Sequence, residues 1–298
     1  MTPDPRTPTR VTPALLRAWP LPPPGGEKES RGRVLVVGGT SHTPGAVLLA
    51  GEAVLRAGAG KLQVATAEPV AAALAVAVPE ALVVGLPTSK EGDLEEHTAD
   101  PLVELADETD AVLVGSGFSD LQATLRLLRR VVPRLRGPLV LDAVASAYLG
   151  ADGGDVRHLS GGCVLSANPS EVAMTLGTQA EDVERDPVAA AARLAARSGA
   201  VVLCGGQGKT VAAPDGRVWS AEVGGPGLGV SGSGDVQAGI LAGLLGRGAE
   251  PAQAAVWGAY LHGRAGDVLA GRVGTVGFLA RHVSGEVPAL LDELAPPS

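Results

Sequence analysis

Residues 33–66, RVLVVGGTSHTPGAVLLAGEAVLRAGAGKLQVAT, read as one strand–turn–helix–strand unit. Residues 34–37 are apolar without alternation, the pattern of a strand covered on both faces. A glycine turn follows, then an Ala- and Leu-rich stretch of helical length at 45–57, then a second apolar run at 62–65. A helical crossover of this kind joins parallel strands. The Rossmann dinucleotide fingerprint fails here, because Gly38-Gly39 is not continued as G-x-G-x-x-G and no acidic residue ends the second strand.

The alternation continues outward from this unit. Short apolar runs recur at 82–84, 111–114, 139–141, 164–165 and 200–203, with helical stretches at 121–132, 187–198, 236–245 and 251–269. The sequence therefore predicts an α/β fold, a central mostly parallel sheet flanked by helices on both faces. Residues 32–298 are expected to form a single domain, with its ligands beyond the carboxyl ends of the strands. Residues 1–31 carry eight prolines and end in PLPPPGGEKESRG, a composition that cannot bury itself, so this extension is expected to lie over the surface or to be mobile.

Composition agrees with a packed globule. The chain has 298 residues, 45% of them hydrophobic and 19% charged, with 42 glycines and seven aromatics, so tight turns and close backbone packing are expected. The net charge of −8 argues against a nucleic-acid or anionic-membrane partner. No apolar run approaches the roughly 18 residues of a membrane span, and MTPDPRTPTR lacks the apolar core of a secretory signal. Two cysteines, Cys163 and Cys204, without metal-type spacing point to a reducing, cytoplasmic setting.

Three stretches carry chemistry. In residues 224–245, GGPGLGVSGSGDVQAGILAGLL, small residues lead through Gly232, Ser233 and Gly234 into Asp235 and an apolar helix. Backbone amides at such a helix start favour negative charge on a transferred phosphoryl group, and Asp235 at its edge is placed to take a proton from an attacking hydroxyl. An N-cap aspartate in an ordinary glycine turn has the same spacing. In LSANPSEVAMTLG, residues 165–177, Asn168 and Glu171 sit three apart after a strand. They suit either water-mediated Mg²⁺ at a nucleotide's phosphates or a capping box. In VVLCGGQGKTVAAPDGRVW, residues 201–219, the loop Gly205, Gly206, Gln207, Gly208, Lys209 follows a buried strand and precedes a hairpin turned at Pro214-Asp215-Gly216. Backbone amides and the Lys209 charge there could hold an adenine nucleotide, although the spacing is not that of a P-loop. His42 reads as a surface loop residue, Asp142 as a metal contact or a turn cap, and Cys204 as an inert buried thiol.

In combination, VLVVGG, PGAVLLAGEAVLRAGAGKLQVAT, LVGSG, LVLDA, NPSE, PGLGVSGSGDV and WGAYLHGRAGD resemble the NAD(P)H-hydrate dehydratase family of the ribokinase-like fold, over residues 33 to about 270. The resemblance implies repair of hydrated NADH or NADPH with ADP or ATP as co-substrate and Mg²⁺ at the phosphates. It implies Asp235 as base, Gly232, Ser233 and Gly234 as the anion hole, and Gly205, Gly206, Gln207, Gly208 and Lys209 around the nucleotide. Ala46, Gly117, Asn168 and Asp235 would contact the hydrated dinucleotide, Glu171 would reach the metal through water, and a homo-oligomer is expected. The epimerase domain fused in some members has no room here. Relatives usually carry His-Pro-Gly-Glu where this chain has Asn168-Pro169-Ser170-Glu171, and Lys-Gly where it has Cys204-Gly205. Val144 stands for the second Asp of LDAD, and Gly-Ser-Gly-Asp for Gly-Thr-Gly-Asp. A sugar or vitamin kinase of the same fold is the alternative reading.

Overall fold

The structure is a computed structural model that describes residues 7–150, 154–206 and 208–295. Among them ten strands form one sheet: β1 (Thr9–Arg10), β2 (Arg33–Val37), β3 (Lys61–Ala67), β4 (Ala81–Leu86), β5 (Ala111–Val114), β6 (Leu139–Asp142), β7 (Cys163–Ala167), β8 (Val201–Cys204), β9 (Lys209–Ala212) and β10 (Val218–Ala221). The helices are α1 (Pro13–Ala18), α2 (Pro44–Arg56), α3 (Glu68–Ala77), α4 (Ala99–Asp107), α5 (Leu121–Val131), α6 (Pro169–Leu176), α7 (Ala180–Arg185), α8 (Pro187–Ser198), α9 (Ser233–Gly246), α10 (Pro251–Arg272) and α11 (Ala280–Leu294).

The sheet order is β1-β10-β9-β8-β7-β6-β5-β2-β3-β4. Strands β2 to β8 are all parallel, and β9 alone runs against its neighbours. The order reverses between β2 and β5, so the loops after them diverge at the carboxyl edge and leave a crevice there. Period-two alternation explains the lack of polar positions in these strands. Val34 and Val36 enter the core under α2, α9, α10 and α11, while Leu35 and Val37 enter the opposite core under α4, α5, α6 and α8.

Helix α9 is buried almost throughout and lies against α2. Glycine makes that approach feasible: a Cβ at Gly239 would stand 2.2 Å from the Ala50 carbonyl oxygen, and one at Gly243 would stand 2.6 Å from that of Val54. Among the described residues no helix is long and apolar enough to cross a membrane.

The expectation for the Pro-rich extension needs correction. Residues 9–10 pair with β10 as the outermost strand, Leu16 is fully buried, and Trp19 stacks on Trp219 with ring centroids 5.9 Å apart. The Trp19 carbonyl accepts from Trp257 Nε1 at 2.9 Å and Gln253 Nε2 at 3.2 Å. The prolines deny the segment helix and sheet of its own for most of its length, but they leave Leu16 and Trp19 free to bury in grooves that the rest of the fold supplies. The hairpin at 214–216 forms as the sequence indicates, between β9 and β10.

Candidate active site

A cavity of about 760 Å³ opens at the carboxyl edge of the sheet, between the ends of β6, β7 and β8 and the start of α9. Asp142, Ser166, Asn168, Glu171, Gly205, Gly206, Lys209, Ser233, Gly234, Gln237 and His262 are among its walls. Strand ends and two helices thus bring together residues from five separate stretches of sequence.

At the start of α9 the N-cap is Gly232, with φ +89° and ψ −7°, a left-handed geometry that glycine adopts without strain. The turn directs α9 back across the sheet. The amides of Gly232 and Gly234 find no backbone acceptor among the described residues. The Ser233 amide does, donating to the Val230 carbonyl at 3.1 Å. Ser233 was expected among the anion-hole donors, but its amide is spent in the turn that shapes the helix start, and its hydroxyl lies 3.0 Å from His262 Nε2.

Asp235 lies in the first turn of α9, half-buried. Burial pushes its carboxyl above the ordinary range, while hydrogen bonds from Ser116 and from its own backbone pull the other way. A base so placed binds a proton more readily than a solvated aspartate. Asp142, at the end of β6, is pushed up to about 8 by burial and by the Asp235 and Glu171 carboxylates. Ser116 Oγ stands 2.9 Å from Asp142 Oδ2. The next residue, Ala143, has φ +50°, the one positive value at a non-glycine position among the described residues.

Asn168 and Glu171 cap α6 reciprocally. Asn168 Oδ1 accepts from the Glu171 amide at 2.9 Å, and Glu171 Oε2 accepts from the Asn168 amide at 2.8 Å. The capping box and the cavity wall are thus the same pair, because the helix that it starts points its first turn into the cavity. Burial and then Asp235 raise the Glu171 carboxyl, against the pull of Asn168.

Lys209 departs from the expectation of a loop cation. It opens β9 and is 8% exposed, and its ammonium donates to Gln237 Oε1 on α9 while still forming part of the cavity wall. Burial lowers it to about 8. Gly205 and Gly206 also line the cavity and Gly208 does not, while Gln207 lies outside the described residues. Ala46 and Gly117 face one another at the adjoining crevice, where a Cβ on Gly117 would stand 2.8 Å from that of Ala46. Thr43 Oγ1 ties the two loops by donating to the Gly117 carbonyl at 2.5 Å.

The sequence reading missed Ser116, Ser166, Gln237 and His262. Ser166 ends an apolar strand and Gln237 interrupts an apolar helix, a signal for polar side chains with a buried partner; Gln237 Nε2 donates to Ser166 Oγ at 3.3 Å. His262 is buried and held neutral, its basicity lowered by burial and by Lys209. His42 is exposed, and Cys204 is buried with its thiol pushed up to about 12 by burial, as an inert thiol requires.

A family model described as NAD(P)H-hydrate dehydratase matches residues 34–289. The ADP-dependent (S)-NAD(P)H-hydrate dehydratase of Xanthomonas campestris is 47% identical over 286 residues, covering 95% of this chain and 96% of that protein. The solved structure of a ribokinase-like superfamily protein from Enterococcus faecalis superposes with a TM-score of 0.82 at 24% identity, covering 97% of each chain. An ADP/ATP-dependent NAD(P)H-hydrate dehydratase from Bacillus subtilis, co-crystallised with ATP and Mg²⁺, does so with a TM-score of 0.82 at 25% identity, over 96% of this chain and 98% of that one.

Proposed function

The chain belongs to the NAD(P)H-hydrate dehydratase family, and from that membership we propose how its cavity restores hydrated NAD(P)H at the expense of ADP. The observation that carries the reading is the start of α9, where Asp235, a carboxylate with raised proton affinity, shares the first turn with the Gly232 and Gly234 amides, which have no backbone acceptor among the described residues; Gly234 lines the cavity, while Asp235 and Gly232 are not among its lining residues.

Hydroxide is a poor leaving group, so the ring hydroxyl is first turned into a better one. Asp235 takes the hydroxyl proton as the oxygen attacks the terminal phosphorus of the nucleotide. The bond from that phosphorus to the bridging oxygen breaks, and the amides of Gly232 and Gly234 stabilise the charge on the transferred group. The ring nitrogen then expels the phosphate, and loss of a proton from the neighbouring ring carbon to solvent restores the double bond, giving NAD(P)H, inorganic phosphate and the nucleotide shortened by one phosphate.

Gly205, Gly206 and Lys209 hold the nucleotide along the opposite wall, with Gln207 and Gly208 in the same loop. Lys209, fixed by Gln237, faces the phosphates as a positioned charge and not as a mobile one. Ala46 and Gly117 bound the dinucleotide, with Asn168 at the other side of the mouth. Glu171 and Asp235 are hard oxygen donors, and the Asp235 carboxylate raises the proton affinity of Glu171, so a cation would relieve their repulsion. Among the described residues no three His, Cys, Asp or Glu side chains converge enough to hold an ion. The residues therefore fit Mg²⁺ held chiefly by the phosphates, with Glu171 reaching it through water. When bound, it supplies positive charge to the phosphate oxygens.

The reading includes a homo-oligomer in the cytoplasm. Val76 and Leu82, 84% and 56% exposed on α3 and the edge strand β4, support self-association, and two buried free thiols suit a reducing compartment. The test of function is direct: hydrated NADH with ADP and Mg²⁺ should regain NADH absorbance, faster than with ATP. A panel of sugars and vitamin alcohols should yield no stable ester. Accumulation of such an ester without NADH recovery would move the assignment to a kinase.

A further inference from the structure

Helix α10 carries His262, Gly263, Gly266 and Asp267 on one strip of its surface, because residues three and four apart share a helix face. All four meet the segment that runs from Val223 to Ser233. Residues 223–226 and 228–230 of that segment line the cavity. Positions 224, 225, 227 and 229 in it are glycine, so the backbone has wide freedom unless its surroundings hold it.

Both ends are held by α10. Asp267 Oδ1 accepts from the Gly224 amide at 3.1 Å. The chain then lies directly on the helix: a Cβ at Gly263 would stand 2.7 Å from the Val223 carbonyl oxygen, and one at Gly266 would stand 2.6 Å from Leu228 Cγ. At the far end His262 Nε2 stands 2.9 Å from the Ser233 carbonyl oxygen, which can only accept, so Nε2 carries the proton and donates. The other ring nitrogen agrees with this. Nδ1 is buried and has no partner among the described residues, so a proton there would have nothing to bond. The Ser233 hydroxyl, 3.0 Å from Nε2, faces the same N–H and donates nothing to the ring.

The consequence lies in the peptide between Ser233 and Gly234. Its carbonyl and its amide belong to one planar trans unit and point in opposite directions. Holding the carbonyl on His262 therefore fixes the direction of the Gly234 amide, which has no backbone acceptor among the described residues and belongs to a residue of the cavity wall.

We propose that His262 and Asp267 are positioning residues of the phosphoryl site: α10 clamps the glycine-rich segment at Gly224 and at Ser233, and the clamp on the Ser233 carbonyl aims the Gly234 amide at the transferred group before the nucleotide arrives. The inference rests on the assignment of this cavity to phosphoryl transfer. Both residues act through the backbone, and neither exchanges a proton in the reaction.

Nitrogen-15 NMR of the ligand-free protein at neutral pH tests the clamp without substrate. The imidazole resonances that His262→Gln removes should belong to a neutral ring protonated on Nε2; a ring protonated on Nδ1 would overturn the proposal. In glycine-labelled protein, ADP with Mg²⁺ should move the Gly234 amide resonance, and should move it no more than about half as far in His262→Phe, which keeps a ring but no donor. Equal movement in both, or none in the wild type, would overturn it. With hydrated NADH, His262→Phe should lose about tenfold to a hundredfold in kcat while the KM for ADP changes less than about threefold, because an aimed amide serves charge that grows during the transfer. His262→Gln restores a donor near the place of Nε2 and should recover most of that loss. A loss confined to KM, or His262→Gln as slow as His262→Phe, would contradict the clamp. Asp267→Ala should speed hydrogen exchange at the Gly224 amide by about tenfold, and Asp267→Asn, which keeps an oxygen acceptor, should not; unchanged exchange in Asp267→Ala would refute the anchor at that end. A wild type inert toward hydrated NADH that still shows the Nε2 proton and the Gly234 movement would refute the assigned substrate and leave the clamp standing.

Discussion

Replacing Gly232 by Ala probes the junction of fold and chemistry with one methyl group. At φ +89° an L side chain is strained by about 1–2 kcal/mol. The new Cβ would also stand 2.4 Å from Leu49 Cδ1 and 3.3 Å from the Ala280 Cβ. Leu49 is half-buried and its terminal methyl can rotate aside, so the crowding should cost about 1–3 kcal/mol, as overpacking does elsewhere. The loss of freedom in the unfolded chain returns about 0.4–1 kcal/mol. A net destabilisation of about 1–5 kcal/mol follows, which lowers the melting temperature by roughly 3–15 °C in a domain of this size. The strain falls on the peptide whose amide faces the transferred phosphoryl group, so turnover should drop by at least about tenfold. Thermal melting and the rate of NADH recovery measure the two effects. A variant melting within a degree of wild type with full turnover would refute the argument that the left-handed start of α9 is required.

Leu16→Ala should cost about 2–5 kcal/mol because the side chain is fully buried, and unchanged melting would mean that the N-terminal segment is not docked. Asp142→Asn should alter the pH dependence of stability. The native Asp142 carboxyl is raised to about 8, so its contribution is present in acid and is lost as pH rises through that value. The variant has no such proton to lose and should gain in melting temperature relative to wild type between pH 4 and pH 9; parallel curves would contradict this. Lys209→Met should raise the KM for ADP and shrink the melting shift that ADP produces. In the wild type that KM should climb as pH passes about 8, where the ammonium loses its proton.

The strands and the main helices were legible because a sheet covered on both faces needs uninterrupted apolar runs, and 34–37, 111–114 and 139–141 have them. The box formed by Asn168 and Glu171 was equally visible, since reciprocal capping depends on a local spacing of three. Docking of residues 9–19 was not, because the grooves receiving Leu16 and Trp19 are built by residues more than two hundred positions away. The same holds for Ser116. A serine between two glycines has no distinctive pattern, and only the side-by-side register of β5 and β6 sets its hydroxyl beside Asp142. Lys209 reads as a loop residue from its glycine neighbours, whereas it opens β9 opposite Ala221 of β10 and its buried ammonium meets Gln237 of α9.

The central claim is that the ring hydroxyl leaves as phosphate, and the fate of its oxygen tests it most directly. Hydrated NADH carrying heavy oxygen in that hydroxyl should, with ADP and Mg²⁺, transfer the label to inorganic phosphate, one labelled phosphate for each NADH restored. Asp235→Asn should suppress label and NADH together. Label released into water while NADH forms would contradict phosphorylation of the hydroxyl and with it the role given to the start of α9.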